Sequence, residues 1–322
     1  MNNGRFAGLL VAALLLTSLP VCADEAFVTT QGADALDIVD LTSLSVVATL
    51  PIGGKPAGVS VSRDGARAFV TSPEGKFLTV IDARAHRIER RIPVEGGPLG
   101  VAASPDGGRV YVADLYGKRL VEIDPASGAT LRSVGVGTMA SGVAATPDGK
   151  TILVADRDDN AISIIDAASF QRVATLAVGR HPFGVAIDAA GARAYTADVE
   201  SDSVSVIDLS ARRVVATLKT GSRPYTVALA AGRIFVANQH ADSVSVFDAA
   251  SLAPVGEVKV GEYPEGVAAT RDGAKVLVAC WFSNELWAID PVRLSVAGRA
   301  TTGDGPRAFG LFTGAGAPRP PD

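Results

Sequence analysis

Four side chains, His181, Arg223, Glu265 and Arg307, are of the types that acid–base chemistry needs. A His can serve as general base, an Arg can hold a developing oxyanion, and a Glu can deliver a proton. Together with Phe183, Tyr225, Tyr263 and Trp281 the same four also make a binding surface. Rings supply area and stacking faces, and Arg supplies a planar fork of donors. Phe282 and His240 stand close by in sequence. Residue types alone do not choose between these two readings.

Other chemistries fail on spacing. Asp156-x-Asp158-x-Asn160 opens like a calcium loop, but such a loop needs Gly and then Glu where this chain has Ala161 and Ala167. Gly135-x-Gly137 follows a strand pattern with no helix after it, so a dinucleotide reading fails. No Cys-x-x-Cys-His exists to attach a haem. His181, His240 and Cys280 would hold zinc only if they converged and a carboxylate helped. No metal and no cofactor are expected. His86 falls in a turn, where solvation is expected.

The elements that position these groups follow an N-terminal leader. Residues 1–23 read as a signal peptide: Arg5 is the only charge, and Phe6 to Leu16 is an apolar or glycine run too short to span a bilayer. Pro20 breaks the run, and Val21-Cys22-Ala23 places small residues for cleavage after Ala23. Acylation of Cys22 is the alternative, but Val21 departs from the small residue that usually precedes a lipidated Cys. A periplasmic or secreted protein is expected. No later run of 18 apolar residues offers a membrane span. Cys280 would be the one thiol left after cleavage, so no intrachain disulfide could form. The formal net charge of −4 argues against nucleic-acid binding by bulk charge. With 48% apolar residues and only 20% charged, the composition is that of a packed globular chain.

Three repeat series run through that chain. Asp closes an apolar stretch at Asp40, Asp82, Asp124, Asp166, Asp208, Asp248 and Asp290, with spacings of 42, 42, 42, 42, 40 and 42. Pro56, Pro98, Ala140, Pro182, Pro224, Pro264 and Pro306 keep the same spacings, as do Phe27, Phe69, Tyr111, Leu153, Tyr195, Phe235 and Leu277. Each unit reads as four short strands. In the unit from Pro182 these are 183–187, 193–197, 203–207 with its Ser-Val-Ser-Val alternation, and 214–219. Four strands in about 42 residues is the period of a propeller blade. An Asp present in every unit serves the turns rather than chemistry, because a catalytic group is needed once.

The ends complete the count. The first unit starts at Ala26-Phe27 and lacks its first strand, while Pro306 to Phe312 matches that missing strand. The expected fold is all-β: a seven-bladed β-propeller of four-stranded blades over 24–312, closed by a C-terminal strand that completes the N-terminal blade. Residues 313–322, rich in Gly and Pro, are expected to be a flexible tail.

Tyr/Phe-Val-Thr/Ala-Asn/Asp, Ser-Val-Ile-Asp, Val-Ala-Thr-Leu-x-Val-Gly and Pro-x-Gly-Val-Ala together resemble the YVTN-type β-propeller repeat over residues 25–312. The whole chain resembles exported YncE-like seven-bladed proteins. That resemblance implies that the loops entering each blade and the loops between second and third strands share one face. On it, the blades starting near 182, 224 and 264 contribute His181, Phe183, Arg223, Tyr225, Tyr263, Glu265 and Trp281, with Arg307 at the seam. The expectation is a monomeric, non-catalytic propeller that binds a partner protein or a small polar ligand there. The alternative is an enzyme of lactonase or lyase type, or an accessory to a periplasmic quinoprotein or redox pathway. A quinoprotein dehydrogenase itself fits poorly, since Trp281 and Trp287 are the only Trp where such propellers carry one in each blade.

Overall fold

The computed structural model describes residues 22–318, so the expected leader lies outside the described residues apart from Cys22 and Ala23. Those two open the first strand, Cys22–Thr30. Seven separate four-stranded antiparallel sheets, blades 1 to 7, follow one another along the chain, blade 1 holding Cys22–Thr30 and blade 5 starting at Pro182. Among the described residues no helix is long and apolar enough to cross a membrane. The blade from Pro182 has strands Pro182–Ile187, Arg193–Asp198, Ser203–Asp208 and Arg213–Lys219, within a residue of the limits its alternation predicts. Its inner three strands are largely buried and the outermost alternates between exposed and partly buried residues. That is the pattern of a sheet standing edge-on to an axis and packed on both faces.

The core lies between the blades. One cluster joins Leu277 and Leu286 of blade 7, Phe27 and Ile38 of blade 1, and Val59 and Val70 of blade 2. The innermost strands come close enough to explain the recurring Pro-x-Gly. A Cβ on Gly100 would fall 1.8 Å from the Ser141 carbonyl oxygen of the next blade, and one on Gly142 would fall 2.2 Å from that of Phe183. No side chain fits there, so glycine lets neighbouring backbones converge on the axis.

The seven recurring turn aspartates do what their regularity implies. Asp82, Asp166 and Asp208 each accept a backbone N–H three residues on. Asp248 and Asp290 each accept two backbone N–H bonds, from the residues two and three positions on. Hydrogen bonds from the turn's own groups hold Asp124, Asp166, Asp208, Asp248 and Asp290 below the usual carboxylate range.

Two sequence expectations change. The ring is closed by the C-terminus, but the closing strand is Thr313–Pro318, inside the segment expected to be a flexible tail. Residues 306–312 form an irregular lead-in. Arg307 N–H donates to the Thr29 carbonyl, and Phe309 and Leu311 carbonyls accept from Val59 and Val61 of blade 2. Gly310, at φ 114°, makes that double engagement possible. Thr313 and Gly314 then pair with Ala26 and Glu25. Two neighbouring blades need the C-terminal segment at once, so the strand completing blade 1 falls later than its repeat motif. His86 is likewise not a free solvated side chain: its Nε2 lies 2.9 Å from Oε2 of the buried Glu25. That contact staples blade 1 to the turn of blade 2. Arg193 and Arg233 staple later blades the same way, donating to the carbonyls of Ala249 and Pro291 at 3.0 and 2.6 Å.

Candidate binding face

The two loop series meet as the resemblance implies. Backbone N–H groups of Val199, Gln239 and Trp281 donate to the carbonyls of His181, Arg223 and Tyr263 at 3.1, 2.8 and 3.0 Å. His181, Arg223 and Tyr263 adopt left-handed backbone, with φ of 53°, 55° and 59°. That conformation is unfavourable for side chains other than Gly, Asn and Asp. A cap offsets it: each N–H donates to Oδ1 of Asn160, Asp202 or Asp242, at 2.9, 2.7 and 2.9 Å. These caps escaped the sequence reading, although they recur in the same register as the Pro series.

At the axis the candidates collect into one interlocked group. Phe183 and Tyr225 stack with centroids 4.0 Å apart, and Phe309 packs edge-on to Phe183 at 5.2 Å. With Ala57, Leu99, Leu115 and Val199 they form a buried apolar plug. Beside it Arg307 donates to the Tyr225 hydroxyl (2.5 Å) and to Gln31 Oε1 (3.3 Å), and its Nε lies 2.9 Å from Glu265 Oε2. Gln239 donates to the other Glu265 oxygen at 2.8 Å. Burial pushes the Glu265 carboxyl up against the pull of Arg307 and Gln239, and burial pushes the Tyr225 phenol up as well. Gln31, Gln239 and Phe309 were missed from sequence. Both glutamines occupy the repeat position of Trp281, which is the signal that could have found them.

Around this plug the remaining candidates are more open. His181 sits between two carboxylates, with Nε2 3.7 Å from Asp158 and Nδ1 3.5 Å from Glu200. It therefore faces the loops of blades 4 and 5 while Glu265 and Arg307 face each other, so the structure does not gather the base, acid and oxyanion donor in contact. The Arg223 guanidinium has no hydrogen-bond or ion-pair partner among the described residues. Tyr263 lies between His240 (centroids 5.5 Å) and Phe282 (4.8 Å), and Phe282 is 63% exposed. Trp281 is half-buried, with its ring 5.7 Å from the Arg307 guanidinium carbon.

The residue that precedes these loops points inward, into the blades. Asp114, Asp156, Asp198, Asn238 and Cys280 are all fully buried. Asp156 accepts Gly137 N–H at 2.9 Å and the Ser163 hydroxyl at 2.6 Å, so its oxygens are engaged in the blade. Cys280 is a free thiol, which burial pushes up to about 12.

Seven four-stranded sheets arranged in this way make the molecule a seven-bladed β-propeller with one loop-rich face. Residues 22–103 match a family described as YNCE-like beta-propeller, a likeness that agrees with the propeller fold of the whole chain. A chain of Kuenenia stuttgartiensis hydrazine synthase is similar at 22% identity, with 79% of this chain and 89% of that one covered and a TM-score of 0.73. A functionally unknown protein from Desulfotomaculum acetoxidans is similar at 15% identity, covering 92% and 99%, with a TM-score of 0.78. At these identities the likeness is one of fold. No curated protein matches this chain.

Proposed function

We propose that this is an exported, non-catalytic binding propeller whose partner or polar ligand docks on the loop face of blades 5–7. The observation that carries the reading is the tier of rings His240, Tyr263 and Phe282 beside the unpaired Arg223. Exposed rings next to an uncommitted guanidinium supply apolar area and a directional anchor for a carboxylate. Against an acid–base function stands the mutual engagement of Tyr225, Glu265 and Arg307, which leaves those groups holding each other. Export rests on the leader pattern of residues 1–23. Cleavage after Ala23 would keep Asp24, whose carbonyl accepts the Leu41 N–H that anchors the first strand.

Native mass spectrometry of protein purified from its own host tests the reading. The mature chain is expected to begin at Asp24 and to carry a retained ligand or partner. Arg223→Ala and Phe282→Ala are expected to lose it while melting within about 1 °C of the parent, as surface substitutions do. Retention by both variants, or a parent that carries nothing, would remove the site. Tyr225→Ala belongs to a different class: it empties part of the plug and is expected to cost about 3–5 kcal/mol of stability.

A further inference from the structure

The surroundings of Arg307 are unusual for a closing-segment side chain. Its guanidinium carbon lies 5.8, 5.7 and 5.8 Å from the ring centroids of Tyr225, Trp281 and Phe309. These rings come from blade 6, blade 7 and the closing segment itself. The nearest counter-charge is Glu265, whose side chain is only 5% exposed. Several aromatic faces around one carboxylate is the composition that holds organic cations, because each ring presents the negative face of its quadrupole. The contact between Arg307 Nε and Glu265 Oε2 is close at 2.9 Å, yet neither atom is satisfied as a hydrogen bond. The carboxylate therefore holds its cation by charge and proximity, without the two parallel bonds of a guanidinium–carboxylate fork. Such a setting is selective for a flat or bulky cation and loosely selective for which one.

We propose that Tyr225, Trp281, Phe309 and Glu265 form a cage for organic cations of the guanidinium or quaternary ammonium class, which Arg307 occupies in cis. Docking of the closing segment then does two things at once. It seals the ring through Arg307 N–H on the Thr29 carbonyl and Phe309 on Val59, and it fills the cage with the segment's own cation. The side chain of Arg307 keeps 19% exposure, so the cage is not sealed from solvent. This assignment stands apart from the binding surface of His240, Tyr263 and Phe282 and does not depend on it.

The test is chemical rescue in the full chain. Arg307→Ala is expected to melt several degrees below the parent, because it leaves Glu265 buried without a cation. Guanidinium, methylguanidinium or tetramethylammonium chloride at millimolar, non-denaturing concentration is expected to raise that melting temperature saturably. Sodium chloride at matched ionic strength and urea are expected not to, and the parent, already filled, is expected to gain nothing. Adding Glu265→Gln to Arg307→Ala is expected to restore part of the stability and abolish the cation response. Arg307→Met, which keeps an apolar stem over the rings, carries the same titration if the Ala variant does not fold. Absence of a saturable response beyond sodium chloride in both variants, in melting or in refolding yield, overturns the assignment.

Discussion

Asp198 and Asn238 hold the same repeat position in neighbouring blades and show how one residue sets a pH response. Asp198 accepts the hydroxyls of Ser203 and Ser205 at 3.3 and 2.7 Å, while Asn238 donates to Ser243 and Ser245 at 3.1 and 2.8 Å. Burial raises the Asp198 pKa from 3.8 to about 6, and one of its oxygens has no hydrogen-bond partner. A carboxyl with a raised folded pKa binds its proton more tightly in the folded state. Its contribution is fully present below pH 4 or so and is lost as pH rises through about 6. Asp198→Asn, copying the next blade, is expected to remove that loss. Its stabilisation at pH 7.5 is expected to be on the order of 2–3 kcal/mol at most, seen as a melting temperature a few degrees higher, with no difference at pH 4. Melts of parent and variant across that range check it. A constant offset at every pH would mean that packing, not ionisation, separates the two residues.

Among the elements, the closing segment is the informative one. The repeat pattern ends at Phe312, so the motif alone would let the chain stop there. The structure instead pairs Thr313–Pro318 with the first strand, and Thr313 Oγ1 also donates to the Ala269 carbonyl of blade 7 at 2.7 Å. A chain ending at Phe312 would keep the lead-in hydrogen bonds to Thr29, Val59 and Val61 but lose that strand. It would leave the backbone of Ala26 and Glu25 unpaired on the inner side, an open edge of the kind that invites association. Such a truncation is expected to lower the melting temperature by several degrees and to promote aggregation on heating. Light scattering during a thermal melt would register it. A truncated chain that melts like the parent would return residues 313–318 to the status of a tail.

At the scale of the molecule, seven sheets share cores with both neighbours, so stability is distributed around a closed ring. Cys280 is a built-in reporter of that ring. It is fully buried between the sheets, and burial pushes its thiol up to about 12, far from the reactive thiolate form. In a chain that begins at Asp24 a thiol reagent is expected to label it only as fast as blade 7 opens, with full labelling after denaturation. The chain ending at Phe312 is expected to label faster than the parent under native conditions. Rapid labelling of the intact parent would place Cys280 on an accessible surface and contradict the packing of blade 7.

Much of this was legible in the sequence because repetition averages out local ambiguity. Seven concordant copies of a two-residue alternation, with turn residues at constant spacing, leave a four-stranded blade as the one element that buries every apolar stretch. The candidate site was legible only as a set of positions. Register put His181, Arg223 and Tyr263 on one face, and left-handed backbone capped by Asn160, Asp202 and Asp242 put them there in the structure. Depth was not legible, since Phe183, Tyr225 and Glu265 occupy the same repeat position as Ala57 and Leu99 and differ from them only in size and charge. Whether such side chains stand free or seal the axis depends on what seven blades bring to one point. Only the assembled ring set Arg307 against Glu265 and Tyr225, residues 42 and 82 positions away in the chain, because convergence of the innermost strands is a property of closure and not of any single repeat.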